Sequence, residues 1–200
     1  MGVKAKNNLI DQVVVNNKTI TKPSEIGSAF NSFFTSFPTS LIPSIPSTTS
    51  NYWDYLPPAS TNCFFFNPID HYCMKEYILS IKPKNSKDIN QLSMKLLHTV
   101  AGPISKPLAH IYNLSVSQGI FPDNMKLSRC IPIYKSGDCT DIGNFRLVSI
   151  INQFSKVFEK VAFTRLLSFL DENSFFSSNQ FGFRKGYSTT HCILAIINKI

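Results

Sequence analysis

Two hundred residues, 43% hydrophobic and 16% charged, exclude a globally disordered chain and allow one large domain or a domain with an appendage. A chain of this length buries roughly 70% of its unfolded surface on folding, enough for a real core. The net charge of +8 favours polyanionic partners, and no apolar run approaches the length of a membrane span.

The N-terminus lacks the apolar core of a signal peptide. Met1-Gly2 resembles a myristoylation start, but Lys6 stands where Ser or Thr is needed. Residues 23–37 predict an amphipathic helix. Ile26, Ala29, Phe30, Phe33, Phe34 and Phe37 share one face, and Pro23 and Glu25 suit its first turn. So aromatic a stripe calls for a surface to dock on. Residues 38–62 hold five Pro and nine Ser/Thr, which reads as an extended linker. Trp53 lies there, either as an anchor or as an exposed loop aromatic. Residues 64–69 are expected to form a short strand.

Helices follow. One spans 70–82, with Asp70 as N-cap and Cys73, Met74, Tyr77, Ile78 and Ile81 inward. Another covers 93–100, capped by Ser93. A third runs over 104–118, after Gly102-Pro103 and up to Gly119. A hairpin over 130–150 precedes a helix at 153–170, whose Phe154, Val157, Phe158, Val161, Ala162, Leu166, Phe169 and Leu170 face inward. The basic loop QFGFRKGYS leads to a last helix from Thr189, capped by Ser188, with Ile193, Leu194, Ile196, Ile197 and Ile200 apolar. This order, without βαβ alternation, predicts a mostly helical α+β fold. Neither GxGxxG nor a Walker-type GK[ST] occurs.

Charge is uneven. Residues 1–60 carry +1, 61–125 carry +2 and 126–200 carry +5, with all four arginines in the last part. A solvated basic face and a polyanion-binding surface both fit that distribution. The five cysteines form no CxxC pair. Buried free thiols in a reducing, intracellular compartment, nucleus or cytoplasm, are expected, not disulfides or zinc; His71 and Cys73 have no second ligand pair.

The hairpin puts Lys135 at the end of one arm and Arg146 on the other. A guanidinium fork and an ammonium can converge on one phosphate, although two ordinary surface cations would look the same. Five ordered stretches add to that reading: NSKDINQLSMKLL (85–97), ISKPLAHIYNLSVSQGIFPDNMK (104–126), IPIYKSGDCTDIGNFRLVSI (131–150), SKVFEKVAFTRLLSFL (155–170) and QFGFRKGYSTT (180–190). Together they closely resemble the reverse transcriptase domain of jockey-like non-LTR retrotransposons. FNSFFTSF also resembles the segment those elements carry just upstream.

The resemblance implies an incomplete right-hand polymerase. Residues 1–62 would be an upstream helix and linker; 63–200 would hold the amino-terminal extension, the fingers hairpin and the start of the palm. It implies that Lys135 and Arg146 grip the triphosphate of the incoming deoxynucleotide. Gln180, Phe181, Gly182 and Arg184 would lie at the fingers–palm border near the template. The parent activity would be RNA-directed DNA synthesis, with an RNA template, a DNA primer, deoxynucleotides and Mg²⁺, and no membrane partner.

Two departures qualify this. Leu147 stands where the family usually has Pro, which would fix the backbone beside the cation. The Mg²⁺-binding Asp of the palm and the Tyr-X-Asp-Asp hairpin have no counterpart. Asp171 and Glu172, in FLDEN, precede QFGFR and read as helix-end residues. The expectation is therefore a fragment with no catalytic residues of its own and no bound Mg²⁺. The alternatives are a non-catalytic nucleic-acid-binding module and a non-functional retrotransposon relic.

Overall fold

The computed structural model describes residues 10–56 and 62–198, so Ile200 and the Met1-Gly2 start lie outside the described residues. The fold is mixed helix and strand, and the chain divides into two compact units.

The first unit holds the residues before 58 together with 128–150. It begins with a hairpin of β1 (Val13–Val15) and antiparallel β2 (Lys18–Ile20). Asn16 and Asn17 turn it, at φ 50° and 61°. Two consecutive left-handed residues make the turn type whose twist matches paired strands, and Asn tolerates that conformation well. Helix α1 (Pro23–Leu41) follows, with Pro at its first turn. It outruns the expected end at residue 37 by passing through Pro38. Thr35, Ser36 and Ser40 hydroxyls donate back to the carbonyls of Asn31, Ser32 and Phe37 along this exposed stretch. Beyond it the linker is less extended than composition suggests. Short 3-10 turns occupy Ile42–Ser44 and Tyr52–Tyr55, the second closed by an Asn51–Asp54 capping box. Trp53 is exposed there and lies against Tyr52.

The Phe stripe docks within its own unit. Ile26 and Phe30 are buried with Val13, Ile142 and Phe145, while Phe33 and Phe34 flank them. Phe30 meets Phe145 edge-on, with ring centres 5.1 Å apart. Strands β3 (Ser128–Tyr134) and β4 (Phe145–Ile151) form the second two-stranded sheet. The loop joining them is tied to β1, where Val14 N–H donates to the Thr140 carbonyl at 2.8 Å.

The second unit is helical: α2 (His71–Ser80), α3 (Met94–Thr99), α4 (Ala101–Gln118), α5 (Asp123–Lys126), α6 (Gln153–Glu172) and α7 (Thr189–Ile197). Asp70, Ser93 and Ser188 accept from the amides of Cys73, Leu96 and His191, so the three expected caps are made. Gly119, at φ 66°, ends α4, and the next amide, Ile120, reaches back to the Ser115 carbonyl. Helix α2 packs along α4 and touches α3 and α6. Met74, Ile78, Leu97, Leu108, Tyr112, Val157, Phe158 and Val161 form the core. Leu166, expected inward, is exposed.

No strand forms over 64–69. Its last residue has found another partner: the Asn113 side-chain amide accepts from Ile69 N–H at 2.9 Å and donates to Ile69 C=O at 2.8 Å. A side chain that satisfies both backbone groups takes the place of a neighbouring strand. All five thiols are free, yet Cys63, Cys130 and Cys139 are exposed and none is buried, which corrects the expectation of buried thiols. Cys63 and Cys139 sit on loops, and Cys130 lies on a hairpin face that α1 covers only in part. None of the described helices is long and apolar enough to cross a membrane.

Candidate functional site

The β3–β4 hairpin is read from its pairing. Lys135 N–H donates to the Asn144 carbonyl at 2.9 Å. Tyr134 and Phe145 meet edge-on at 5.7 Å, and Cys130 Sγ lies 3.4 Å from Ser149 Oγ. All three contacts fit one antiparallel register, which sets Ile133 opposite Arg146. Side chains alternate along a strand, so Lys135, Ile133 and Arg146 share a face. Lys135 and Arg146 are diagonal neighbours on it, a relation that spaces Cα atoms by about 7–8 Å. The same alternation adds Arg129, Ile131 and Val148 to this face.

The opposite face is turned toward α1, where Phe145 is buried against Phe30. Cys130, Pro132 and Leu147 line a cavity of about 470 Å³ with Ile26, Phe30 and Phe34 of α1. The two faces therefore differ in role: one is held by the unit's own helix, and the other carries cations into solvent. Both Lys135 and Arg146 are exposed, and neither makes a salt bridge among the described residues.

The turn between the arms is heavily braced. Asp138 accepts from both the backbone N–H and the hydroxyl of Thr140 at 2.8 Å. These bonds, the backbone one first, hold its carboxyl below the usual Asp value. Asp141 accepts from Gly143 N–H at 2.9 Å, and the Asn144 amide donates to the Asp138 carbonyl at 3.0 Å. The Tyr134 hydroxyl donates to the carbonyl of Gly137. Gly137 has φ 94°, and a Cβ there would stand 2.7 Å from Asn144 Nδ2. Only glycine meets both conditions. This bracing fixes the ends from which Lys135 and Arg146 project.

Leu147 lies opposite Pro132 in this register, at a pair that exchanges no ladder bonds. Proline there would cost no hydrogen bond and would restrict Arg146 to the extended backbone it already has. Leucine at this position therefore leaves the pairing of the hairpin intact.

The second set of residues lies in the helical unit, on the loop between α6 and α7. Gln180 and Gly182 are exposed, while Phe181 and Arg184 are partly covered. The Arg184 guanidinium lies 5.1 Å from the Phe176 ring centre and 4.6 Å from that of Tyr187, and it donates to the Ser177 carbonyl at 3.2 Å. Phe181 meets the same Tyr187 edge-on at 5.8 Å. Arg184 is thus the loop's internal brace, a role its place in the motif did not disclose. Arg165 is likewise structural, donating to the carbonyls of Asn67 and Pro68. Of the four arginines, Arg129 and Arg146 are exposed, while Arg165 and Arg184 are partly covered.

Three features went unread in the sequence. The β1–β2 hairpin had a signal, Asn-Asn between β-branched runs in VVVNNKTI. Asp88 lies in NSKDINQLSMKLL (85–97), but its burial had no sequence signature. It is fully buried and accepts from the amides of Asn90, Leu92 and Gln153 at 2.9–3.0 Å. With Asn152, which accepts from Phe154 N–H, it caps α6. The third is Phe183, fully exposed at φ 60°.

No group of three or more His, Cys, Asp or Glu among the described residues is arranged to hold a metal ion. Asp171 and Glu172 lie in the last turn of α6, where Ser168 donates to Glu172.

No protein-family model matches the chain. Curated proteins do. The chain is similar to a probable RNA-directed DNA polymerase from transposon BS of Drosophila melanogaster, 28% identical over 146 residues, covering 71% of this chain and 16% of the relative. It is similar to the RNA-directed DNA polymerase from mobile element jockey of the same species, 26% identical over 62% of this chain and 14% of the relative. A probable RNA-directed DNA polymerase from transposon X-element, also of D. melanogaster, is 29% identical over 45% of the chain. The homologues are thus RNA-directed DNA polymerases of mobile elements, and the chain matches 10–16% of the length of these three.

Proposed function

We propose that the chain is a fragment of an RNA-directed DNA polymerase of a jockey-like mobile element, comprising an upstream segment, the amino-terminal extension, the fingers hairpin and the start of the palm. The observation that carries this reading is the two-faced hairpin. One face packs on α1, and the other offers Lys135 and Arg146, exposed and unpaired, as diagonal neighbours. The similarity to mobile-element polymerases supports the same reading.

In it, Lys135 and Arg146 hold the triphosphate of the incoming deoxynucleotide. Arg146 offers a planar fork to two oxygens, and Lys135 adds a point charge. Both oppose the negative charge that builds on the leaving pyrophosphate. Gln180, Phe181, Gly182 and Arg184 shape the template side, with Arg184 acting through the loop it braces. The parent's partners are an RNA template, a DNA primer and deoxynucleotides. No carboxylate group for Mg²⁺ is assembled among the described residues, and the role we assign to this chain is to hold the nucleotide, with the joining step left to the parent polymerase. Helix α1 backs the hairpin and so contributes to the grip.

The test is calorimetric titration of the 200-residue chain with a deoxynucleoside triphosphate, beside the Lys135→Ala/Arg146→Ala variant. Charged hydrogen bonds are each worth roughly 1.5–3 kcal/mol, so the double variant is expected to weaken binding at least ~100-fold. Unchanged affinity refutes the clamp. Mg²⁺-dependent primer extension by the purified chain refutes the non-catalytic part.

A further inference from the structure

The α6–α7 loop uses its aromatic residues in two different ways. Phe176 and Tyr187 flank Arg184, and Phe181 meets Tyr187, so that the three rings hold the loop together. Phe183 does nothing of the kind. Its exposure is 109%, so no part of the described chain covers the ring. Its φ of 60° lies in the left-handed region, which bulky side chains enter only at a cost. Gly182 and Gly186 beside it have no atom within 4 Å of where a Cβ would stand, so the loop projects into open space. A large apolar ring is therefore carried, at backbone cost, on the outside of a braced loop.

The surrounding charge indicates what meets it. Residues 173–200 contain no Asp or Glu. Arg184 and Lys185 follow Phe183 directly, and Lys185 is exposed. An apolar protein partner needs no such charge, whereas a strand of nucleic acid offers both complements: a π-face for the ring and a phosphate for the cation. Duplex hides its base faces, so the strand must be single. We propose that Phe183 is a stacking platform for an unpaired base of single-stranded nucleic acid, with Lys185 at the adjoining phosphate. This deepens the template-side reading of the loop and rests on it.

The test uses the 200-residue chain and a fluorescein-labelled 20-nucleotide RNA of mixed sequence, beside a 20-mer of the same backbone whose bases are all removed. Binding is followed by anisotropy at two salt concentrations for wild type, Phe183→Ala, Phe183→Gly and Phe183→Trp. The Ala and Gly variants are expected to bind the base-bearing RNA about 10-fold more weakly, in line with the loss of one stacked base. Their affinity for the abasic strand and their salt slope should match wild type, because the phosphate contacts persist. Phe183→Trp should retain affinity. Phe183→Gly relieves the backbone strain, so its melting temperature should equal or exceed wild type, which separates lost stacking from lost folding. Wild-type-like binding by the Ala and Gly variants overturns the inference alone. So does an equal loss on both strands, or failure of the Trp variant. A wild-type chain that binds neither strand overturns both the inference and the template-side reading beneath it.

Discussion

A carboxylate without solvent is tolerated only where donors surround it, and Asp88 has three backbone amides within 3.0 Å. Two belong to its own loop, and the third is the first amide of α6. One side chain thus closes a turn and caps a helix that begins 65 residues later. Asp88→Ala would leave three amides without their acceptor. At about 1–3 kcal/mol for each buried unsatisfied group, a loss of roughly 3 kcal/mol or more is expected. Urea unfolding measures it, as a lowered midpoint with an unchanged slope. A loss below about 1 kcal/mol would mean that the loop opens and lets solvent replace the carboxylate. The same residue shows why some of the site was not legible. Lys135 and Arg146 stood out because their spacing within the hairpin is local. The role of Asp88 depends on Gln153, far along the chain. Phe183 depends on the sign of one backbone angle, and neither leaves a periodic trace. Arg184 was legible as a motif residue, but its use as a brace depends on Phe176 and Tyr187 folding around it.

Elements with a strong period or an explicit cap were readable. The inward face of α2 and the caps at Asp70, Ser93 and Ser188 follow from spacing and side-chain chemistry. The strand expected at 64–69 fails because a short apolar run does not supply a partner strand, and Asn113 answers Ile69 instead. Composition ended α1 too early, since a Pro weakens a helix without always ending it. In the β3–β4 hairpin, sequence gave the arms while the bracing of the turn is tertiary detail, and that bracing makes it sensitive to acid. Hydrogen bonds from Thr140 depress the pKa of Asp138 below its ordinary 3.8 in the folded turn. A depressed carboxyl contributes stability that is fully present above its unfolded pKa and is lost as pH falls through the folded one. The turn should therefore hold at pH 5 and loosen only below pH 3.8. The Thr140 amide resonance, followed from pH 5 to pH 2, should titrate with a midpoint under the ordinary Asp value and stop doing so in Asp138→Asn. A midpoint at or above that value would show that the turn does not hold the charged carboxyl.

For the whole molecule, the decisive feature is where its apolar surface remains uncovered. Helix α7 has no buried residue, and Ile193, Leu194, Ile196 and Ile197 are all more than half exposed. Their spacings of three and four residues put them on one side of the helix. The stripe is the kind that a globular helix turns toward a core. Its exposure separates two ways in which a basic chain of this kind behaves in solution. If charge dominates, the net +8 keeps molecules apart and the chain stays monomeric. If the α7 stripe dominates, molecules associate through it. The charge repulsion is screened within about 10 Å at 0.1 M salt, whereas apolar attraction does not weaken with added salt. The stripe should therefore win at ordinary ionic strength. The folded chain is expected to bind a hydrophobic dye and to elute from size exclusion earlier as concentration or salt rises. Ile193→Lys with Ile197→Glu should cut the dye signal at least about twofold and restore a concentration-independent elution volume. It should leave the melting temperature unchanged, because neither side chain is part of a core. A folded wild type that binds no dye and elutes identically at all concentrations would show that α7 is covered in solution.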